Sequence, residues 1–351
     1  MAYEEKDIYA DDTSYKDIIE RPDAFSREDE SDDAEFYKRD RMIQHLDSNA
    51  LETVEKLIGH LTIEDRPAVL DLMASIDSHL PEDLNPSRVV GLGLNENEIK
   101  ANPILDDYVI QDINKNPKLP FEDESFDIVI NTVSIQYIIR PKEIFKEISR
   151  ILKPGGMHLV IFSNRTFAPK AVKSWELLTF DERIKVVIDY FQHTDKFENP
   201  EVFISMGQPR PEDDKYAFTG FPSDPIFAVY ADKKGADSSR AKRPRPQEYR
   251  DDLEPEIIKK RKARISETHE CPYCGQKMRL WGITDNPMST WDHDIYVCVT
   301  DSCPYLVRGW KVMYDQGNPS ISYRLTYDPK SDTISPIPVP NLAVIKDSLR
   351  D

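Results

Sequence analysis

Residues 108–164, "YVIQDINKNPKLPFEDESFDIVINTVSIQYIIRPKEIFKEISRILKPGGMHLVIFSN", decide how this chain folds. "YVIQDI" (108–113) is an apolar run of strand length, and "FDIVINTVS" (126–134) is the continuous apolar run of a strand covered on both faces. "PKEIFKEISRIL" (141–152) changes period: Ile144, Phe145, Ile148, Ile151 and Leu152 share one helical stripe. "LKPGG" then stops the helix, and "MHLVIFSN" (157–164) returns to a strand. Strand, helix and strand in that order demand a crossover, and crossovers build parallel sheets.

Reading outward extends the pattern. Upstream, "SNALETVEKLIGHL" (48–61) places Leu51, Val54, Leu57, Ile58 and Leu61 on one face, with Ser48 as its expected cap. "AVLDL" (68–72) and "RVVGLGL" (88–94) read as strands, with a short helix expected between them, limited by Pro81 and Pro86. Downstream come a helix over "DERIKVVIDYFQ" (181–192) and two late strands, 201–206 and 225–231. The expected fold is α/β, a doubly wound, mostly parallel seven-stranded sheet, followed by a small β-rich domain.

The chain has 351 residues and a formal net charge of -18. Residues 1–40 hold 15 acidic and 6 basic side chains and lack apolar periodicity, so they read as an acidic, largely flexible arm. Residues 41–233 form the α/β domain, 234–268 a charged linker, and 269–351 a second domain. Neither a membrane-spanning run nor a basic start followed by an apolar stretch is present, which points to a cytoplasmic protein. The overall acidity argues against a polyanionic partner, although the basic run "KKRKAR" (259–264) offers nucleic acid a contact.

On the strength of the quoted stretch, residues 40–232 resemble a class I S-adenosylmethionine-dependent methyltransferase domain. The resemblance rests on the third strand and its following acid, the "LPFEDESFD" approach to strand four, and the "LKPGG" turn. It implies a sulfonium cofactor in the crevice beyond the carboxyl ends of the strands. Asp71 falls on the family's first-motif acid, and Asp112, with Ile113 beside it, on the residue that accepts from the adenine amino group. The first turn departs from the pattern: where glycines are usual, the chain has Met73, Ala74, Ser75, Ile76 and Asp77. Met73 and Ser75 then reach the ligand through backbone N–H groups. The ribose-binding acid falls on Gly93, and Asn95 is the nearest polar substitute. Tyr137, past strand four, is placed to line the methyl-transfer mouth or to pack in the crevice. His45 and His79 read as structural. The methyl acceptor is unspecified by sequence, a macromolecule included.

The four cysteines follow the pattern C-x2-C (Cys271, Cys274), 23 residues, then C-x4-C (Cys298, Cys303). Four soft thiolates at this spacing close a tetrahedron round structural zinc, and the module resembles a zinc ribbon. His269 and His293 are alternate ligands only if a cysteine proves distant. "YLVRGWKVMYD" and "SYRLTYDP" are expected to be strands, and Trp281, Trp291, Tyr296, Tyr305 and Trp310 the small core. The tail from "SPIPVP" is Pro-rich and leads to a short helix. Two functions follow: a methyltransferase whose zinc module helps choose a substrate or partner, or a non-catalytic methyltransferase-like scaffold whose ribbon binds protein or nucleic acid.

Overall fold

The computed structural model describes residues 13–246, 255–282 and 292–350. Its larger unit runs through α1 (Lys16–Ile19), α2 (Asp33–Phe36), α3 (Ser48–Leu61), β1 (Ala68–Leu72), β2 (Arg88–Gly93), α4 (Glu96–Ala101), β3 (Asp107–Ile110), β4 (Phe126–Thr132), α5 (Pro141–Ile151), β5 (Leu152–Phe162), α6 (Lys173–Leu177), α7 (Phe180–His193), β6 (Glu201–Ser205) and β7 (Ile226–Asp232). The strands make one seven-stranded sheet in the order β3-β2-β1-β4-β5-β7-β6. It is parallel except where β7 pairs with β5 and β6. The order reverses between β1 and β4, so the crevice for a ligand lies at their carboxyl ends.

Period-two patterning divides each strand between two cores. Val69, Val89, Ile128, Ile130 and Leu159 pack with Val54, Leu57 and Ile58 of α3 on one face. Leu70, Leu72, Val90, Val129 and Val160 pack with α5 and α7 on the other, through Ile144, Phe145, Val187 and Phe191.

Several local expectations are corrected. Asp47, not Ser48, caps α3, its carboxylate accepting from Ala50 N at 3.1 Å. No helix forms between β1 and β2; the segment is irregular, with Ser78 Oγ donating to Asp71 and Asp77 accepting from His79 N. "LKPGG" is the bulged start of β5 rather than a turn before it, with a register shift opposite Phe126 and Ile128.

The described part of the acidic arm packs against the larger unit. Tyr15 is buried and its hydroxyl meets Asp189 at 2.8 Å. Asp33 is buried against Arg27 at 2.7 Å, and the fully buried Lys170 donates to Ser31 O at 2.6 Å. Arg27 within the arm and Lys170 beneath it therefore compensate charges that the sequence pattern assigns to solvent. The front of the expected linker is pinned as well: Arg243 bridges Glu64 (2.7 Å) and Asp232 (2.5 Å).

The smaller unit contains α8 (Pro255–Lys262), α9 (Ile265–Thr268), β8 (Arg279–Trp281), β9 (Ile295–Val297), α10 (Pro304–Asp315), β10 (Ser322–Asp328), β11 (Thr333–Val339) and β12 (Leu349–Arg350). Its antiparallel sheet has the order β11-β10-β9-β8-β12. "YLVRGWKVMYD", expected as a strand, is helix α10: Pro304 opens it, and Leu306, Val307 and Trp310 are buried at helical spacing. The Pro-rich tail is strand β11 at the sheet edge. Pro336 and Pro338 are two residues apart, so both missing N–H groups face away from β10. Trp291 lies outside the described residues. The two units touch directly: Leu342 N donates to Gly220 O at 2.7 Å. Gly207 (φ +85°) lies so close to Val307 O that a Cβ would stand 2.5 Å from it.

Candidate functional site

A cleft of about 1160 Å³, counting its open mouth, lies at the switch point between β1 and β4. All seven residues expected at a cofactor or transfer site line it: Asp71, Met73, Ser75, Asn95, Asp112, Ile113 and Tyr137. How each is held is less uniform than the sequence pattern implies.

The first turn keeps the shape glycines would give it. Met73 adopts φ +64°, the left-handed conformation that favours glycine. Val133, just past β4, stands at φ +51°, which is rarer still for a β-branched residue. The two strands flanking the switch point thus both end on a strained non-glycine residue, and such strain concentrates at functional sites. Ala74 N donates to Leu92 O at 2.8 Å, folding the turn over the end of β2. Ala74 O then stands 2.5 Å from where a Gly93 Cβ would lie, so the position of the family's ribose acid has no room for a side chain.

Asn95, the expected substitute for that acid, lines the cleft but spends its side chain on bonds within the protein. It caps α4, its Oδ1 accepting from Asn97 N and Glu98 N, while its Nδ2 donates to Tyr37 O and Asp40. The carboxylate nearest this task is Glu98, buried in the cleft wall, with Oε2 accepting from Ser75 Oγ at 2.6 Å and Oε1 from Arg41 N at 2.7 Å. Sequence reasoning missed it because "NENE" reads as a cap followed by a solvated first turn; the Asn-x-x-Glu spacing of a capping box was the available signal.

Asp71 is buried and accepts from Ser78 Oγ at 2.7 Å. Burial pushes its carboxyl up to about 6, and the serine bond only partly opposes this. Asp77 goes the other way: the hydrogen bond from His79 holds it well below the usual carboxylate range. Asp112 spends one oxygen on Asn114 N (2.9 Å) and Lys115 N (3.2 Å), and the other lies 3.8 Å from Lys115 Nζ. Tyr137 is buried, its ring stacked on Phe167 and its hydroxyl accepting from Phe167 N at 2.7 Å. Its tie to that backbone N–H favours a wall residue over a proton carrier. Two buried hydroxyl oxygens in the lining, Tyr37 Oη and Thr132 Oγ1, have no hydrogen-bond partner among the described residues. Buried polar atoms are rarely left so.

The arm and the residues just after it add Asp33, Tyr37, Arg41 and His45 to the lining. It crosses the mouth from Lys170, after β5, to Asn95 and Glu98, after β2. Sequence reasoning missed this because the arm's charges carry no period.

In the smaller unit the four cysteine sulfurs all lie within 4.8 Å of one another. Cys271 and Cys303 are 3.8 Å apart, and Cys274 and Cys298 are 3.6 Å apart, too far for disulfides. Four ligands at about 2.3 Å round a tetrahedral zinc stand about 3.8 Å from one another, so the donor set fits zinc. Gly275 N closes the first knuckle on Cys271 O, and the basic run packs there, Arg261 Nη1 donating to Pro272 O at 3.3 Å. Neither expected alternate ligand belongs to the cluster: His269 stacks on Tyr296 at 3.9 Å, and His293 bridges Asp292 and Asp328.

Residues 76–160 match the family model described as "Methyltransferase domain", a span that covers β2 to β5. Over 150 residues the chain is 31% identical to the malonyl-(acyl-carrier protein) O-methyltransferase of a Marinomonas species, covering 39% of this chain and 54% of that protein. A stretch of 94 residues is 32% identical to the biotin biosynthesis bifunctional protein BioHC of Teredinibacter turnerae, covering 26% of this chain and 14% of that protein. A solved phosphoethanolamine N-methyltransferase 2 of Haemonchus contortus, in complex with S-adenosyl-L-methionine, matches at a TM-score of 0.37 and 18% identity, covering 54% of this chain and 53% of that one. The chain spans about half the length of the Marinomonas relative. Residues 76–160 are thus similar to a methyltransferase domain, and they lie in an α/β frame of the expected kind.

Proposed function

We propose that this protein transfers a methyl group from S-adenosylmethionine to an acceptor bound at the β4–β5 side of the cleft. The observation that carries this reading is the convergence of Asp71, Glu98 and Asp112 on one switch-point cleft, the last two inside the span that matches a methyltransferase domain. Glu98 would take the ribose hydroxyls, Asp112 the adenine amino group, and the backbone of the Met73–Ser75 turn the amino-acid end. The cofactor supplies an already activated methyl group, so these residues have to align it and keep water away. The arm across the mouth supports the second task.

A non-catalytic scaffold is the second reading, favoured by one observation: Ala74 fills the space where the ribose acid would project from β2. Calorimetric titration with S-adenosylhomocysteine separates the two. The enzyme predicts micromolar binding that Glu98→Gln weakens about tenfold; no heat at millimolar ligand leaves the scaffold.

Zinc, held by Cys271, Cys274, Cys298 and Cys303, would staple the smaller unit, since four thiolates leave no open position for catalysis. That unit, with the basic run packed on its first knuckle, would hold a protein or nucleic-acid substrate or partner beside the cleft.

A further inference from the structure

We infer that Arg41 and Tyr37 form a carboxylate-binding subsite, at the acceptor side of the cleft, that selects an acidic acceptor. The word acceptor rests on the methyltransferase reading above; the affinity for a carboxylate does not.

Arg41 is placed unlike the other arginines around it. Arg27, Arg165 and Arg210 each meet a carboxylate at 2.7–2.9 Å. Arg41 lines the cleft, and among the described residues no carboxylate stands within ion-pair distance of its guanidinium, in a chain of net charge -18. Its faces are covered instead. The guanidinium carbon lies 4.9 Å from the Phe36 ring centroid, 5.1 Å from that of Phe167 and 5.4 Å from that of Tyr37. Nη1 and Nη2 each donate to one arm carbonyl, Arg39 O at 3.1 Å and Phe36 O at 3.2 Å. The backbone N–H is fixed by Glu98.

A guanidinium stacked among rings and tethered by carbonyls loses little further freedom when an anion docks on its edge. The N–H groups that remain match the two oxygens of a carboxylate. Tyr37 supplies a second donor. Its hydroxyl lines the same cleft, is buried, and has no hydrogen-bond partner among the described residues; burial, then the nearby Tyr137 and Asp33, raise its pKa, so it keeps its proton. An unpartnered donor next to an unpaired cation calls for an acceptor oxygen of negative charge.

The acids in the lining do not answer Arg41. Asp33 is paired with Arg27 and Lys170, Asp77 with His79, and Asp112 lies 3.8 Å from Lys115. Glu98 faces Ser75 and the Arg41 backbone. Position indicates the source of the ligand. Phe167 follows β5 and stacks on Tyr137, which follows β4, so the cation sits over the acceptor end; Asp71 and Asp112 belong to β1 and to the segment after β3.

The test titrates the full chain, without cofactor, with sodium succinate, inorganic phosphate and neutral succinamide, reading heat and thermal shift. Succinate is expected to bind at millimolar concentration, with Arg41→Ala and Tyr37→Phe each weakening it about tenfold and succinamide giving no signal. A wild-type chain blind to succinate, an Arg41→Ala chain that binds it equally well, or a response to phosphate alone overturns the proposal. The same variants are titrated with S-adenosylhomocysteine. Affinity unchanged within about threefold supports an acceptor subsite. A tenfold loss in Arg41→Ala, with succinate competing, assigns Arg41 to the cofactor's own carboxylate and overturns it. If no chain binds S-adenosylhomocysteine, the methyltransferase reading fails, and the succinate series alone decides the anion subsite. The Tyr37→Phe chain, isosteric at the ring, keeps the test valid should Arg41→Ala not fold.

Discussion

The seven-stranded sheet and the cysteine-bearing sheet are held by different forces. The larger sheet is buried on both faces, and β1, β2, β4 and β5 between them bury an almost unbroken set of Val, Ile and Leu. The smaller sheet has short strands and a small core, to which three of its four cysteines contribute. It relies on polar staples: Arg324, fully buried, donates to Cys298 O and Leu342 O and pairs with Asp301, tying the second cysteine pair to the tail. A core of many apolar contacts degrades gradually under substitution; one built on a few directional bonds fails at once.

The largest effect should therefore come from the thiols. Four sulfurs within 4.8 Å and no metal would leave buried, mutually repelling or unpaired groups, whereas zinc–thiolate sites contribute on the order of 10 kcal/mol to folding. Chelation, or Cys271→Ser, is expected to abolish the calorimetric transition of the smaller unit while leaving that of the seven-stranded sheet within a few degrees. Metal content by mass spectrometry should fall from one zinc per chain to none. Loss of both transitions together would show that the two units fold as one.

The larger sheet has its own weak point, and acid should find it. His158 on β5 is fully buried among Phe145, Phe191 and Phe197, neither ring nitrogen has a partner, and burial pushes its pKa down to about 3. The unfolded chain takes up this proton near pH 6.5, so the stability it contributes is lost as pH falls from about 6.5 toward 3. The full window is worth roughly 5 kcal/mol. His158→Phe is expected to flatten the fall in Tm of the larger unit between pH 6.5 and 4; an unchanged slope would locate acid sensitivity elsewhere.

The contrast between body and rim also explains what could be read in advance. The strands and α3, α5 and α7 were legible because apolar side chains repeat with a period of 2 or 3.6, and burial follows the period. The cysteines were legible because metal-ligand spacing is local. Helix α10 was misassigned because a run with Trp, Val and Tyr satisfies strand propensity, while Pro304 and the positions of Leu306, Val307 and Trp310 favoured the helix. The arm could not be read, since Asp33 is buried only because Arg27 and Lys170 lie against it, and Lys170 is 137 residues away. Glu98 was hidden for a related reason: besides its own cap Asn95, the distant Ser75 and the Arg41 backbone hold its carboxylate.

Asp71 sharpens the difference between sheet body and sheet rim. It occupies β1, an otherwise apolar strand, and its carboxyl is raised to about 6 from an ordinary value of 3.8. A raised carboxyl means the folded state holds its proton longer, so stability declines as pH rises from about 4 to 6 and stays lower above that. The shift corresponds to roughly 3 kcal/mol. Asp71→Asn should stabilise the larger unit at pH 7 by up to that amount, less whatever the Ser78 bond loses, and the advantage should vanish at pH 4. If the carboxylate serves the ligand, the same variant should bind S-adenosylhomocysteine at least tenfold more weakly. Stabilisation with unchanged affinity would make Asp71 a purely structural residue.

The smallest effect belongs to the turn itself. Met73 at φ +64° carries a conformational cost of about 1 kcal/mol that glycine would not. Glycine in its place would lose the packing of a half-buried side chain against the larger core, and would gain freedom in the unfolded chain, each of about 1 kcal/mol. Met73→Gly should therefore shift stability by no more than about 1 kcal/mol, toward the less stable side. Its effect on ligand is the sharper reading. If the backbone of this turn holds the amino-acid end of the cofactor and the side chain only narrows the cleft, glycine should leave S-adenosylhomocysteine binding equal or tighter. A tenfold loss would mean that the Met73 thioether is itself part of the binding surface, and that this turn departs from glycine because the chain uses what the larger side chain adds.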